Sequence, residues 1–329
     1  MATTTDRPVM TETMRAVVIT ENGGPEVLEP ATIPLPDRLG CEVLVKVAAA
    51  GVNPFDLMIR AGLAGSCGTA EVPAVLGHDF SGVVVESPYA AHPLQPGVEV
   101  FGVAGAPRTA GSYAEYVSVS SLSVARKPKS LSHVEAAAVP LAALTAWGLV
   151  VDVAKAHEGQ RILVHAGAGG VGHFVVQLAA YFGARVATTS SPRNAGWLRQ
   201  LGAEQVLDYG AEPFESQVAG VDVVINLVDD LDVATRSLGV LRRGGLLVHV
   251  PLTPSPGLAA LAEEAGMRYT GYAVAPDATV LAVLSRLIDS GDINVYVDDV
   301  YDLEDVADAH SLLAQGHTRG KLVLKVSEE

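Results

Sequence analysis

A glycine-rich stretch at residues 161–172, RILVHAGAGGVG, has the spacing that most clearly points to chemistry. Gly167, Gly169 and Gly172 follow the pattern G-x-G-x-x-G directly after an apolar run of strand length. Apolar residues then recur at helical intervals up to Gly183, which predicts a helix that ends there. A strand, a glycine turn and a helix in this order are typical of a dinucleotide site, because backbone N–H groups at the helix start face the pyrophosphate. The alternative is an ordinary glycine turn. The residues predicted to bind the phosphates are Gly167, Ala168, Gly169, Gly170, Val171 and Gly172.

The end of the next predicted strand, 185–190, indicates which dinucleotide would bind. An NAD site usually carries Asp or Glu about 20 residues past the glycines, where the carboxylate binds the ribose 2′-hydroxyl. This chain has Ser190 and Ser191 there, with Arg193 just beyond. Hydroxyl groups and a guanidinium suit a 2′-phosphate, and no carboxylate is present to repel it, so the sequence predicts NADPH. The alternative is that the two serines cap the next helix and that Arg193 is solvated.

The elements that must position these residues change character along the chain. From Met14 to about Arg126, short β runs are separated by Gly and Pro, which favours an irregular β-barrel. From Ser132 onward helices and strands alternate, which predicts a doubly wound parallel sheet. The later part of the chain is predicted to form strands over 267–274, 293–297 and 321–326, with helices over 279–289 and 303–314.

Length, composition and charge limit the classes of function. A chain of 329 residues, 49% of them hydrophobic, can form two domains with substantial cores. The net charge of −15 argues against nucleic acid or an anionic membrane as a partner. The two cysteines, Cys41 and Cys67, cannot form a disulfide framework or a four-cysteine zinc site, and they predict a cytoplasmic setting. The polar segment 1–13 is expected to be a disordered extension. The longest apolar stretch, 136–151, is shorter than the ~20 residues of a membrane-spanning helix.

Six further motifs accompany the glycine loop and suggest a family. They are AGVNPFD at 50–56, LGHDFSG at 76–82, GSYAEYV at 111–117, LAALTAW at 141–147, LGAEQVLDY at 201–209 and GHTRGKLVL at 316–324. With these motifs the chain resembles the medium-chain dehydrogenase/reductase superfamily, specifically its zinc-independent NADPH:quinone oxidoreductase and enoyl reductase branch.

The resemblance implies an α/β fold with two domains and a dimer. A GroES-like irregular β-barrel catalytic domain, formed by 14–130 and 266–329, is expected to be interrupted by a doubly wound Rossmann NADPH-binding domain at 131–265. The resemblance also implies a homodimer joined edge to edge through the strand near 267–274. An exposed apolar edge strand there would be an aggregation hazard unless it were paired.

The resemblance further implies which residues form the site. Asn53 is expected near the nicotinamide ribose and the substrate, and Thr145 beside the nicotinamide ring. Asn226 and Val250, at the ends of their strands, should line the same crevice. The alternatives are that Asn53 is only a turn residue and that the Thr145 hydroxyl bonds its own helix backbone. Two weaker candidates for the 2′-phosphate end are Tyr209 and Lys321.

No metal is expected in this site. The alcohol dehydrogenase branch holds zinc with a cysteine where this chain has Asn53 and a histidine where it has His78. The third ligand is expected near 141–145, where only apolar residues and Thr145 stand. One surviving ligand of three cannot form a catalytic zinc site.

Without a metal, the acceptor must already be polarised by conjugation. The resemblance therefore implies an enzyme that transfers hydride from NADPH to a small-molecule quinone or α,β-unsaturated carbonyl (an enone). Related enoyl thioester reductases have a proton-donating tyrosine about where this chain has LAG at 63–65, so the proton would come from water, Tyr113 or His78. The alternatives are an enoyl thioester or polyketide-pathway enoyl reductase, a zinc alcohol dehydrogenase and a non-enzymatic NADPH-binding protein.

Overall fold

The computed structural model describes residues 12–63, 71–105, 111–251, 253 and 255–327. The helices of this part are α1 Pro54–Arg60, α2 His133–Ala137, α3 Pro140–Trp147, α4 Gly172–Tyr181, α5 Ala195–Gln200, α6 Leu231–Ser237, α7 Leu258–Glu264, α8 Ala278–Asp289 and α9 Val306–Ala314. The strands are β1 Thr13–Ile19, β2 Glu29–Pro34, β3 Glu42–Val52, β4 Ala74–Val75, β5 Asp79–Glu86, β6 Glu99–Val103, β7 Tyr116–Ser120, β8 Val124–Arg126, β9 Arg161–Val164, β10 Arg185–Ser190, β11 Ala203–Asp208, β12 Val221–Asn226, β13 Leu241–His249, β14 Arg268–Gly271, β15 Val297–Asp302 and β16 Lys321–Lys325.

A six-stranded parallel sheet carries the glycine loop. Its order is β11-β10-β9-β12-β13-β14, and every neighbouring pair is parallel. Strands β9, β12 and β13, in the middle of the sheet, are rich in Val, Ile and Leu and mostly buried, as expected of a parallel sheet with covered faces. The strand order reverses between β9 and β12, and ligands of such sheets bind outside the carboxyl ends of the strands at this point. The predicted doubly wound domain is confirmed.

A seven-stranded sheet forms the main part of the other domain. Its order is β15-β16-β3-β5-β6-β8, and β7 also pairs with β3. Strand β16 pairs antiparallel with the second half of β3, so that Leu322 lies opposite Val52. The C-terminal segment therefore completes a sheet that is otherwise formed by residues 42–126, as the GroES-like architecture predicts.

Two predicted boundaries differ from the structure. The boundary at residue 265 assigns the following strand to the catalytic domain, but β14 pairs with β13 and is the sixth strand of the nucleotide-binding sheet. The prediction fails because hydrophobic patterning identifies a strand without revealing the sheet it joins. The strand predicted at 293–297 forms instead at β15, 297–302.

Some predictions fall on residues that the structure does not describe. These are most of the N-terminal extension, Cys67 and the loop at 64–70. Cys41 is free and exposed. Of the helices described, none combines the length and apolar character required to cross a membrane.

Candidate active site

The glycine loop joins β9 to α4 and is tightly packed against the neighbouring backbone. A Cβ added to Gly172 would lie 2.2 Å from the carbonyl oxygen of Ala166, and one added to Gly167 would lie 1.9 Å from Thr188 Oγ1. The obstructing atoms at Gly172 are backbone, so no larger side chain fits there, and a larger side chain at Gly167 would have to displace Thr188. The loop therefore forms a cradle at the start of α4 in which backbone can approach a pyrophosphate closely, and these residues fit a dinucleotide.

The other predicted phosphate-loop residues connect the cradle to its surroundings. The Ala168 carbonyl accepts from Gly320 N at 2.9 Å, which holds the C-terminal segment against the loop. A Cβ added to Gly169 would lie 3.4 Å from the Ala166 oxygen, and one added to Gly170 would lie 3.0 Å from Lys321 Cδ. Val171 directly precedes α4.

The corner after β10 has the features predicted for a 2′-phosphate. Arg193 is exposed in the turn that follows the strand, and its Nη2 donates to the His317 carbonyl at 2.6 Å. Ser190 Oγ donates to the Ser191 carbonyl at 3.0 Å, and Ser191 makes no side-chain cap to the next helical turn. The alternative that both serines act as helix caps is therefore not what the structure shows. Tyr209, directly after β11, is 60% exposed.

Asn226 and Val250 lie next to one another at the carboxyl ends of β12 and β13. Val250 N donates to the Asn226 carbonyl at 3.0 Å. The Asn226 amide is fully buried and donates to the Val228 carbonyl at 3.1 Å and to His249 Nδ1 at 3.0 Å. Asn226 therefore contributes to the crevice wall indirectly, by holding Val228 and His249 in place with hydrogen bonds. His249, whose Nε2 lies 2.8 Å from Ser255 Oγ, extends this wall and was not predicted from the sequence.

Lys321 does not occupy the position predicted for it at the 2′-phosphate end. Its ammonium group donates to the Val52 carbonyl at 2.9 Å, to Asp79 Oδ2 at 3.0 Å and to Asn53 Oδ1. An ammonium has three N–H donors, and all three are used here. The prediction is wrong because the pairing of β16 with β3 carries this side chain, only 4% exposed, into the cleft. Its stem passes Gly170, so it spans the distance from the glycine loop to Asn53.

Asn53 is more than a turn residue. Its backbone N–H donates to Asp56 Oδ2 at 2.9 Å and its side-chain amide donates to Asp79 Oδ2 at 2.9 Å. Asp79 is fully buried, and its other carboxylate oxygen accepts from Leu141 N at 2.6 Å, which joins this cluster to α3. Asp79 directly follows His78 in the sequence but was not predicted to belong to the site.

Thr145 lies on α3, and its hydroxyl bonds the backbone of its own helix, which is the alternative given for it in the sequence analysis. Its hydroxyl donates to the Leu141 carbonyl at 2.6 Å, one helical turn back. The side chain is buried, with 7% of the residue exposed. Its lone pairs can still accept a hydrogen bond, but its proton is committed to the helix backbone.

His78 and Tyr113 both contact Asp56, from different sides. His78 Nδ1 lies 2.6 Å from Asp56 Oδ1, and the Tyr113 hydroxyl donates to Asp56 Oδ2 at 3.1 Å. Burial raises the pKa of Asp56, but the adjacent His78 and the hydrogen bonds outweigh burial and hold the pKa of Asp56 below its ordinary value. Tyr113 is fully buried, so its prediction as a group that meets substrate is not supported. Burial, followed by the Asp56 charge, raises its phenol pKa well above the ordinary value.

The arrangement of His, Cys, Asp and Glu side chains determines whether a protein site can hold a metal ion. Within the ranges described, no group of three or more His, Cys, Asp or Glu side chains is arranged to hold a metal ion. At the position expected for the first zinc ligand, the Asn53 oxygen accepts from the Lys321 ammonium, and His78 Nδ1 is bonded to Asp56.

Comparison with known proteins identifies the family. The models of the alcohol dehydrogenase GroES-like domain and the zinc-binding dehydrogenase match residues 40–129 and 201–324. The chain is 35% identical to 2-methylene-furan-3-one reductase of Solanum lycopersicum, over 94% of this chain and 79% of that protein.

Solved structures agree with this assignment. The quinone oxidoreductase of Coxiella burnetii superposes with a TM-score of 0.90 at 36% identity, covering 96% of this chain and all of that one. Mycobacterial Rv1454c, solved with NADPH, gives a TM-score of 0.83 at 30% identity, covering 95% and 100% of the two chains. The chain is therefore an oxidoreductase of the medium-chain dehydrogenase/reductase superfamily, in its zinc-independent quinone oxidoreductase branch.

Proposed function

We propose that this protein is a metal-independent reductase that uses NADPH to reduce a quinone or an α,β-unsaturated carbonyl compound. The observation that carries the proposal is the position of Lys321, which lies against the glycine loop with its stem and against Asn53 with its ammonium. The pyrophosphate cradle and the cleft are thereby adjacent. A dinucleotide on the loop supplies hydride when it is bound, and the cleft is where an acceptor would meet it.

The charges of the cleft favour chemistry without zinc. Asn53 would need to present its oxygen to the metal, but that oxygen faces the Lys321 ammonium, whose charge would repel a cation. A conjugated acceptor depends less on a Lewis acid, because hydride addition to its β-carbon gives an enolate, whose negative charge is delocalised over the oxygen and the α-carbon. The tomato relative is named for such an acceptor, a ketone conjugated to a methylene group.

The preference for NADPH over NADH rests on the corner after β10. No carboxylate stands at the end of this strand, and the exposed Arg193 guanidinium is held in place by the His317 carbonyl. One N–H of Arg193 is used in that contact, and the others are available to a phosphate.

The proposal is tested by following NADPH oxidation with quinones, small enones and enoyl thioesters, with NADH as the matched cofactor. We expect the protein to reduce quinones or enones at a higher rate with NADPH than with NADH. A metal chelator should leave this rate unchanged. Tight NADPH binding without oxidation by any of these acceptors would favour a non-enzymatic role, and loss of activity on chelation would favour a zinc dehydrogenase. Comparable rates with both nucleotides would refute the cofactor preference.

A further inference from the structure

A directional chain of hydrogen bonds ends on the carboxylate that holds His78. Arg60 Nη1 lies 3.1 Å from His310 Nδ1, and an arginine can only donate, so this ring nitrogen accepts. Neutral His310 then carries its proton on Nε2, which lies 3.1 Å from the Tyr113 hydroxyl oxygen. The Tyr113 proton is left to donate to Asp56. Burial lowers the pKa of His310 to about 4, in agreement with the neutral ring.

Asp56 therefore receives three hydrogen bonds in a fully buried position. The donors are the Tyr113 hydroxyl, the Asn53 backbone N–H and His78 Nδ1. A carboxylate with this many donors stays ionised and fixed in orientation. It thereby fixes the His78 ring, which also packs against Phe55 with ring centroids 4.8 Å apart.

His78 is the partly exposed member of this chain. Its side chain is 16% exposed, whereas Asp56, Tyr113 and His310 are fully buried. With Nδ1 turned toward Asp56, Nε2 points the opposite way across the ring. A Cβ added to Gly105 would lie 3.3 Å from His78 Cδ2 and 3.5 Å from Nε2, so any larger residue at this position would contact this edge of the ring.

The charged groups that face His78 favour its protonated form. Burial lowers its pKa, and the Asp56 charge and hydrogen bond raise it by more. Asp79 raises the pKa further and Lys321 lowers it, and these two residues form an ion pair 3.0 Å apart. The net result is a histidine pKa above its ordinary value.

We propose that His78 Nε2–H is the acid that protonates the reduced substrate, and that Asp56, Tyr113 and His310 are positioning residues for it. This inference rests on the proposed function. Hydride from a dihydronicotinamide adds to the β-carbon of the enone, and the C=C electron pair moves onto the carbonyl oxygen. The α-carbon of the resulting enolate then takes the Nε2 proton. The imidazole left behind regains its proton from water.

The first test measures the protonation of His78 in the protein without cofactor. The His78 ring is followed by NMR through a pH titration, and its midpoint is expected above the ordinary value of ~6.5. Asp56→Asn removes the counter-charge, so the midpoint should fall by about 1–3 units. Tyr113→Phe removes the positive end of a hydroxyl dipole from Asp56, so the midpoint should rise by a smaller amount.

The matched control is His133→Asn. His133 is another buried histidine next to β5, and its Nδ1 lies 2.7 Å from Ser81 Oγ. This change should leave the His78 midpoint where it is. A wild-type midpoint at or below the ordinary value, or one that Asp56→Asn leaves unchanged, would overturn the positioning role.

The second test follows the proton into the product. His78→Asn retains an N–H that can reach Asp56 but has no acidic proton, so turnover of an α-substituted enone should fall about 10²- to 10⁴-fold. The NADPH dissociation constant should stay within about twofold. Wild-type enzyme in D₂O should place deuterium on one face of the α-carbon, and His78→Asn should give both faces.

These experiments distinguish a failure of the proposed role of His78 from a failure of the proposed reductase function. A wild-type protein that reduces no enone or quinone would overturn both. A wild-type protein that reduces them while His78→Asn retains the rate and the single-faced product would overturn only the role of His78. Circular dichroism and thermal melting show whether the variants are folded, and the NMR titration of Tyr113→Phe provides a test that does not require His78 to be replaced.

Discussion

Arg193 and Lys321 are both basic residues near the dinucleotide loop, yet they differ in what they can still bind. Lys321 is saturated by three acceptors, while Arg193 is exposed and has one N–H bonded to a carbonyl. At the scale of single residues, the number of unused donors decides which side chain can recognise a phosphate. Arg193 is therefore the residue on which nucleotide choice is expected to depend.

Arg193→Ala should raise the KM for NADPH and leave that for NADH nearly unchanged. Loss of hydrogen bonds to a charged group costs about 1.5–3 kcal/mol, which corresponds to about a 10- to 100-fold change. The matched control is Arg185→Ala, because Arg185 is exposed at the other end of β10 and pairs with Glu204. Steady-state kinetics with both nucleotides provide the measurement. Equal effects on NADH and NADPH would contradict a 2′-phosphate contact.

The sequence predicts some of these residues better than others. The glycine loop and the Ser190–Arg193 corner each follow a predicted strand, and local strand and helix patterns are enough to place them there. Arg60 and His310 are 250 residues apart in the chain, so no local pattern brings them together. Tyr113 lies within the motif GSYAEYV at 111–117, but the motif does not show that the Tyr113 side chain is buried.

At the scale of elements, the close packing of the β9–α4 turn depends on one glycine in particular. A methyl group on Gly172 would meet the Ala166 carbonyl oxygen at 2.2 Å and Gly167 Cα at 2.8 Å, both of them backbone atoms. Gly172→Ala should lower the free energy of unfolding by about 1–3 kcal/mol and weaken NADPH binding at least about tenfold, because the loop must move away from its neighbours.

Gly196→Ala is the matched control for this substitution. Gly196 lies within α5 and has open space where its Cβ would be. An alanine there should leave NADPH affinity unchanged and stabilise the protein by up to about 1 kcal/mol. Thermal melts and fluorescence titration with NADPH measure both effects. If Gly172→Ala bound NADPH as tightly as the wild type, the cradle would not be the phosphate site.

Elements are predicted well where their pattern is local. The predicted strand at the glycine loop and the helix after it form at β9 and α4, since the change from strand to helical spacing is visible within 20 residues. The assignment of β14 to its sheet and the pairing of β16 with β3 depend on contacts across the chain. Strand β14 is the last in the order of its sheet, and the homodimer expected through this edge remains a prediction.

At the scale of the whole molecule, buried neutral histidines should make stability depend on pH. Burial lowers the pKa of His165, His173 and His310 to about 4 in the folded protein, whereas an unfolded histidine titrates near 6.5. Between these values the unfolded chain binds more protons, so acid favours unfolding. The free energy of unfolding should fall as the pH is lowered from ~6.5 toward ~4, by up to about 3 kcal/mol for each histidine.

Urea denaturation at a series of pH values measures this dependence. His165→Gln should reduce the slope, because one of the three groups no longer titrates. A free energy of unfolding that stays constant or rises as the pH falls through this window would contradict the assignment of these rings as neutral in the folded state.

The pairing of β16 with β3 also has a consequence for the order in which the chain is made. During synthesis, residues 42–126 emerge from the ribosome long before residues 321–325. Until then, the second half of β3 lacks the strand that pairs with it in the folded protein. An open strand edge of this kind invites pairing with other chains. The fold thus delays the completion of this sheet until about two hundred residues beyond Arg126 have emerged, and the intervening nucleotide-binding unit has time to form first.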